Sequence, residues 1–114
     1  MKTFFLVLAY NEEEFLKSAI INLKKVIDDT LIDNYQIIIV DDGSKDKTGE
    51  IALNCKNKID QNIIIQSNNK NIGGAKSIQN FLKTHQEGKL IVITGDNDMH
   101  INLIKKLIIE SKNN

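Results

Sequence analysis

Four short apolar runs divide the chain at regular intervals. They cover residues 3–9, 36–40, 62–66 and 90–94, and β-branched or aromatic side chains dominate each of them. Each run is too short for a helix, and its hydrophobicity is continuous rather than alternating, which is typical of strands buried on both faces. The pattern therefore predicts four strands of a mainly parallel sheet that is covered by helices.

The segments that follow these runs carry apolar side chains at helical spacing. The predicted order is a strand followed by a helix, repeated four times. Alternation of this kind gives right-handed crossovers and a three-layer α/β/α sandwich, here in one domain over residues 1–114. The four helical sets are Phe15, Ala19, Ile20, Leu23, Val26 and Ile27; Ile51, Ala52 and Cys55; Ala75, Ile78, Phe81 and Leu82; and Leu103, Ile104, Leu107 and Ile108.

Composition narrows the class of protein. With 114 residues, 41% of them hydrophobic and 26% charged, the chain fits one globular domain. Fifteen lysines balance fifteen acidic residues, so the net charge gives no reason to expect nucleic acid as a partner. Arginine is absent, so bidentate guanidinium contacts are unavailable and another group must bind any phosphate. A single cysteine, Cys55, favours a reduced cytoplasmic setting, and no apolar stretch nears the roughly 18 residues of a membrane span.

Polar side chains collect directly after the predicted strands. The loops at the carboxyl ends of parallel strands open on one side of a sheet, and ligands bind there. Four separate loops agree in this respect, which favours a functional site over a solvated surface. These loops contain Tyr10, Asn11 and Glu12; Asp41, Asp42, Gly43 and Ser44; residues 71–74; and Asp96, Asn97, Asp98 and His100.

Three of these loops also have a structural interpretation. Asn11 and the glutamates that follow it could cap the first helix, and we favour that role for Glu13 and Glu14. Residues 42–44 could form an ordinary turn, with Asp46 as a cap of the second helix. Residues 71–74 offer two glycines and free backbone amides before a helix, which suits an anion but is common.

The fourth loop points to a metal ion. Asp96 and Asp98 are two residues apart next to a strand end, where their charges repel one another unless a cation or protons intervene. Oxygen ligands favour Mg²⁺ or Mn²⁺. His100 either adds a nitrogen ligand, which Mn²⁺ tolerates, or lies outside the metal site.

Taken together, the loops resemble the nucleotide-sugar-binding half of the family 2 glycosyltransferases of GT-A fold, which include dolichol-phosphate mannosyltransferase-like enzymes. The resemblance covers nearly the whole chain and implies a sheet order of 3-2-1-4. One departure from the family pattern is Leu8, where many relatives have proline. The motifs that carry the resemblance are Ala9 to Glu12, Val40 to Ser44 with Asp46 and Thr48, Asn71 to Lys76, and the D-x-D element Asp96 to Asp98 with His100.

The resemblance also implies a role for individual residues. Tyr10 and Glu12 would contact the base and ribose, and Asp42 would contact a ring nitrogen of the base. Lys76 would face the diphosphate, in the place of an arginine in many relatives. The metal ligands would be Asp96, Asp98 and His100. The full set implied for nucleotide binding is Ala9, Tyr10, Glu12, Val40, Asp41, Asp42, Gly73, Lys76, Asp96 and Asn97.

The implied activity is transfer of a hexose from a nucleoside-diphosphate sugar, usually with inversion, with Mn²⁺ or Mg²⁺ as cofactor. The family's catalytic base lies in a second half of the fold that this sequence lacks, so we expect a donor-binding half without its acceptor half. The alternative is a catalytically inactive nucleotide-binding or regulatory module. A phosphate-accepting signalling domain is disfavoured because its acidic pair follows the first strand, not the second.

Two expectations concern surroundings and assembly. We expect a cytoplasmic location, or the cytoplasmic face of a membrane if a longer natural protein carries an anchor. Strand four, over residues 90–94, would be left as an apolar sheet edge without the rest of the fold. An edge of this kind invites pairing with another chain, so we expect self-association.

Overall fold

The computed structural model describes residues 1–95 of the chain. Strands and helices alternate in the predicted order. The predicted fourth helix and the residues from Asp96 onward lie outside the described residues. The elements are β1 (Thr3–Ala9), α1 (Leu16–Asp29), β2 (Tyr35–Asp41), α2 (Thr48–Lys58), β3 (Ile63–Ser67), α3 (Gly74–Thr84) and β4 (Lys89–Thr94).

The four strands form one parallel sheet in the order β3-β2-β1-β4. Leu6 of β1 pairs with Ile38 of β2 on one side and with Val92 of β4 on the other, while Ile38 also pairs with Ile64 of β3. The chain thus adds β2 and β3 on one side of β1 and then crosses over to add β4 on the other side. This order confirms the one that the resemblance implies, and it places a topological switch point at the carboxyl ends of β1 and β4.

Helices cover both faces of the sheet. On one face, α1 and α2 pack on a core that includes Phe5, Val7, Ile37, Ile39 and Ile63. On the other face, α3 presents Phe81 to a smaller core of Phe4, Leu6, Ile38 and Val40. Strand residues therefore alternate between two buried faces, which explains the continuous apolar runs in the sequence. The three-layer α/β/α prediction is confirmed.

Three apolar residues of the described helical sets, Phe15, Ala75 and Leu82, are exposed. Phe15 is 37% exposed because α1 begins at Leu16, and the buried row of the helix starts there. Leu82 is 47% exposed because α3 contacts the sheet through a narrow stripe in which only Ser77 and Phe81 are buried. No helix within residues 1–95 combines the length and the apolar character needed to cross a membrane.

Candidate functional site

A crevice lies at the carboxyl ends of the strands and has two adjoining cavities. The larger has a volume of about 450 Å³ and the smaller about 240 Å³. Tyr10 and Asn71 line both cavities and so form the boundary between them. The remaining residues of the larger cavity are Asp41, Gly43, Ser44, Lys45, Asn68, Asn69 and Lys70, and those of the smaller are Leu8, Ala9, Glu12, Asp42, Gly73, Gly74, Ser77 and Thr94.

The loop after β1 is joined to the loop after β2 by reciprocal hydrogen bonds. The backbone amide of Asn11 donates to Ser44 Oγ at 2.9 Å, and the amide of Lys45 donates to Asn11 Oδ1 at the same distance. Asn11 adopts a left-handed conformation with φ of 52°, which asparagine tolerates better than most residues. We call the joined residues 11–13 and 44–48 the loop clasp.

The second half of the loop clasp repeats this exchange. The Glu13 amide donates to Asp46 Oδ2 at 3.2 Å, and the Lys47 amide donates to Glu13 Oε2 at 3.3 Å. The Glu12 amide donates to Thr48 Oγ1 at 2.8 Å, and Thr48 is fully buried. The expectation that Glu13 caps α1 is therefore wrong, because its carboxylate binds the neighbouring loop and α1 has no side-chain cap.

Asp46 is the polar centre of the loop clasp. Its carboxylate accepts hydrogen bonds from the Thr48 amide, at 2.9 Å, and from the Thr48 hydroxyl, in addition to the Glu13 amide. Partial burial raises the pKa of this carboxyl group, but the hydrogen bonds from Thr48 and Glu13 outweigh that effect and the net pKa lies below its usual value. Asp46 thus binds the first amide of α2, although the N-cap residue of that helix is Lys47 and not Asp46 as predicted.

The two adjacent aspartates at the end of β2 have different surroundings. Asp41 lines the larger cavity, and its Oδ1 accepts a hydrogen bond from the Ser44 amide at 3.1 Å. Asp42 instead accepts hydrogen bonds from Asn68 Nδ2 and the Ile72 amide on Oδ1, and from the Gly73 amide on Oδ2, each at 2.9 Å. Both side chains are buried, with 8% and 7% of their surface exposed.

The contacts of Asp42 correct one expectation about the glycine segment. The amides of Ile72 and Gly73 are not free to bind an external anion, because the Asp42 carboxylate already accepts from both. Burial raises the pKa of Asp42, but the hydrogen bonds from Ile72, Asn68 and Gly73 together lower it below the usual value. Asp42 is therefore charged at neutral pH and supplies the negative charge before α3.

The end of β4 lies at the same rim. The Gly95 amide at the end of β4 donates to the Leu8 carbonyl at 2.7 Å, which fixes the end of β4 next to Ala9 and Tyr10. Asp96 follows Gly95 in the sequence. Asp96, Asn97, Asp98 and His100 lie outside the described residues, and within residues 1–95 no three His, Cys, Asp or Glu side chains are grouped to hold a metal ion.

Most of the remaining predicted nucleotide contacts lie in the crevice. Ala9, Glu12 and Gly73 line the smaller cavity. Val40 is different, because its side chain is fully buried among the core residues packed on α3, so only its backbone could face a ligand. Lys76 has an exposed side chain in the first turn of α3.

Sequence reasoning did not identify Asn68 as a site residue. Asn68 lines the larger cavity, and its side-chain amide donates both to Asp42 Oδ1 and, at 3.3 Å, to Ser77 Oγ. Its position directly after β3 was the available signal, because the other candidate residues also follow strand ends. Ser77 is a polar residue on the buried stripe of α3 and pairs with it.

Comparison with known proteins gives a consistent result. The model of glycosyl transferase family 2 matches residues 5–113. The uncharacterized glycosyltransferase YkcC of Bacillus subtilis is 34% identical over 87 residues, which cover 76% of this chain and 26% of YkcC. This chain thus spans about a quarter of that relative's length.

Solved structures agree in fold. TarS 1–349 of S. aureus in complex with UDP has a TM-score of 0.68 and 26% identity, with 96% of this chain and 32% of TarS covered. The mannosyltransferase PcManGT of Pyrobaculum calidifontis, in complex with GDP-Man and Mn²⁺, has a TM-score of 0.68 at 18% identity, with 92% of this chain and 32% of that chain covered. The strand order, the polar crevice at the strand ends and the family match over residues 5–113 agree: the chain belongs to glycosyl transferase family 2.

Proposed function

We propose that this chain binds a nucleoside-diphosphate sugar in the crevice and presents it for glycosyl transfer to an acceptor. The observation that carries the proposal is the pair of adjoining cavities at the switch point, bounded by Tyr10 and Asn71. The larger cavity, of about 450 Å³, is in the size range of small-molecule sites, and the smaller cavity, of about 240 Å³, extends it. The bound nucleotides of TarS and PcManGT support the same class of ligand.

The larger cavity suits the nucleoside. Tyr10 is 42% exposed and offers an aromatic face for a base, while Asp41 offers a carboxylate that can accept a ring N–H. Asn68 adds a polar contact on the same wall. The diphosphate and sugar would then extend through the smaller cavity, past Gly73, toward the end of β4 at Thr94.

A divalent ion, Mn²⁺ or Mg²⁺, is the proposed cofactor. Asp96 and Asp98 would hold it, with His100 as a further candidate ligand, since the chain leaves β4 beside Tyr10 and Asp96 is the next residue after Gly95. When bound, such an ion neutralises the charge that develops on the departing diphosphate. Lys76, the exposed lysine near the start of α3, is a second proposed source of positive charge.

We assign no catalytic base to a residue of this chain. This chain spans only 26% of YkcC and 32% of TarS 1–349, so we propose that acceptor binding and turnover belong to a larger protein or a partner chain. A binding module without turnover is the alternative. A sugar-transfer and donor-hydrolysis assay separates the two, because turnover by this chain alone contradicts the alternative.

Titration calorimetry tests the binding proposal. UDP and GDP are each titrated into the protein with Mn²⁺ present, and again after its removal with EDTA. We expect saturable binding of at least one nucleotide that weakens about tenfold or more without the metal, because the diphosphate then faces uncompensated carboxylates. Absence of binding by both nucleotides in the presence of Mn²⁺ contradicts the proposal.

Self-association and cytoplasmic location remain predictions. Among the described strands, β4 pairs only with β1 and so lies at a sheet edge, where Val92 is 42% exposed. We propose that pairing through this edge joins two copies of the chain. Sedimentation of a monomer alone at high protein concentration contradicts that proposal.

A further inference from the structure

We propose that Asp46 and Thr48 are positioning residues that hold Glu12 in place for the proposed nucleotide, without touching the ligand themselves. This role rests on the proposed function. Neither Asp46 nor Thr48 lines either cavity of the crevice. Glu12, by contrast, lines the smaller cavity and is one of the expected nucleotide contacts. A hydrogen-bonded path leads from Asp46 through Thr48 to the Glu12 amide.

The Thr48 hydroxyl can serve this path in only one direction. A hydroxyl has one proton to donate and two lone pairs that accept. The pKa of Asp46 lies below its usual value, so its carboxylate is ionised at neutral pH and can only accept. Thr48 therefore donates its proton to Asp46 Oδ1 and presents a lone pair to the Glu12 amide nitrogen, 2.8 Å away. Asp46 thus fixes the hydroxyl as an acceptor for Glu12.

The backbone of Glu12 is held at both of its polar groups. Its N–H group donates to Thr48, and its carbonyl accepts from the amides of Phe15 and Leu16 at 3.1 and 2.9 Å. Leu16 is the first residue of α1 and is fully buried. Because each peptide unit is planar, restraint of both groups leaves the Glu12 backbone little freedom. The direction in which its side chain enters the smaller cavity is set in this way.

One carboxylate restrains two consecutive amides of the loop after β1. Asp46 Oδ2 accepts from the Glu13 amide directly, at 3.2 Å, and Oδ1 acts on the Glu12 amide through Thr48. Thr48 is the first residue of α2 and is fully buried, so water cannot readily replace its hydroxyl. Loss of that hydroxyl would leave the Glu12 amide without its acceptor.

Hydrogen exchange tests the restraint in the absence of ligand. Thr48→Val removes the hydroxyl and keeps the shape of the side chain. We expect the Glu12 amide to exchange about tenfold faster in this variant than in the wild-type protein, because it loses its acceptor. Thr48→Ser keeps a hydroxyl and should stay within about threefold of wild type. Unchanged exchange at Glu12 in Thr48→Val overturns the proposal.

Nucleotide binding tests the consequence for the site. With Mn²⁺ present, calorimetry measures whichever of UDP and GDP the wild-type protein binds. We expect Thr48→Val to weaken that binding by about tenfold, since a small misplacement of Glu12 weakens every contact that depends on its direction. Thr48→Ser should recover most of the affinity. Wild-type affinity in Thr48→Val overturns the proposal.

Thr30→Val is the matched control for loss of stability. Thr30 is also a buried threonine, and its hydroxyl donates to the carbonyls of Val26 and Ile27 at 2.9 and 3.1 Å. It follows the 14 residues of α1, so it lies about 20 Å from the start of that helix. We expect Thr30→Val to lower the urea midpoint but to keep wild-type affinity. Equal weakening of nucleotide binding in Thr30→Val and Thr48→Val overturns the proposal.

Asp46→Asn covers the case in which Thr48→Val does not fold. The asparagine has one acceptor oxygen in place of two, so it cannot serve both the Thr48 side and the Glu13 amide. We expect at least one of the amides of Glu12 and Glu13 to exchange about tenfold faster. Wild-type exchange at both positions overturns the proposal. If the wild-type protein binds neither nucleotide, the proposed function fails and the ligand role of Glu12 fails with it, while exchange at Glu12 reports the restraint by itself.

Discussion

A Cβ atom placed on Gly43 would lie 2.6 Å from the amide nitrogen of Asn71 and 2.5 Å from the carbonyl carbon of Lys70. The loop after β2 and the loop after β3 therefore meet backbone to backbone. Gly43 also has a φ of 72°, a conformation that side chains rarely adopt. This contact brings the two walls of the larger cavity together and makes position 43 the most restrictive point of the crevice.

We expect Gly43→Ala to lower the free energy of unfolding by about 3 kcal/mol, because backbone strain and a steric clash combine. Gly73→Ala is the matched control: its φ is 90°, but a Cβ there would meet no atom within 4 Å. That variant should lose only about 1–2 kcal/mol, from backbone strain alone. Urea denaturation measures both, and equal losses would show that the close approach to Lys70 and Asn71 has no energetic effect.

Asp46 makes the free energy of unfolding depend on pH in the acidic range. Its pKa is lowered in the folded protein from the usual 3.8, so its hydrogen bonds stabilise the fold above that pH and are lost as pH falls through the folded value. We expect Asp46→Asn to be less stable than wild type at neutral pH and to lose less stability between about pH 5 and pH 2.

Urea midpoints measured across that pH range test the Asp46 prediction. Asp33→Asn, a change at an exposed aspartate, serves as the control and should keep the wild-type dependence. Parallel curves for Asp46→Asn and wild type would contradict the role given to the Asp46 hydrogen bonds.

Asp41 and Tyr10 provide a direct test of where the nucleoside lies. Asp41→Asn should weaken UDP or GDP by about tenfold through loss of a charged acceptor, and Tyr10→Ala by a similar factor through loss of an aromatic face. Calorimetry with Mn²⁺ measures both affinities. Asp60→Asn is the remote control, because the Asp60 carboxylate accepts a hydrogen bond from Tyr35 at the start of β2. Wild-type affinity in both site variants would exclude the larger cavity as the nucleoside site.

Cys55 should be inert in the folded protein. The thiol is fully buried, and its pKa is raised mainly by burial, although the positive charge of Lys17 opposes this. We expect a disulfide reagent to modify Cys55 at least about a hundredfold more slowly in the native protein than in urea.

A second thiol position on α2 provides the control for that measurement. Leu53 is 52% exposed, so Leu53→Cys in a Cys55→Ser background should react rapidly without denaturant. Rapid reaction of native Cys55 itself would show that α2 separates from the sheet far more often than its packing implies.

The sheet could be predicted because its signal is local. Continuous apolar runs such as residues 36–40 occur where both faces of a strand are covered, and the observed β2 extends the predicted range only to Tyr35 and Asp41. The order of the strands is not a local property. It came from the resemblance to a family, and the parallel pairing of β1 with both β2 and β4 confirms it.

The site was predicted as a location but not as a set of contacts. The sequence could indicate that Asp42 lies at a strand end, but not that residues 26 to 31 positions away would donate to it. A usable signal was present: side chains alternate along a strand, so adjacent Asp41 and Asp42 must point to opposite faces of the sheet. Asp41 then faces the side of α2 and Asp42 the side of α3, as their contacts with Ser44 and Gly73 show.

The loop clasp has a consequence for how tightly a ligand can bind. Its reciprocal hydrogen bonds through Asn11 and Asp46 join protein groups to one another, so the conformational entropy of that wall is lost when the chain folds. A preorganised wall leaves less entropy to be lost on association. Any adjustment of the crevice to a ligand must then come from residues outside the loop clasp.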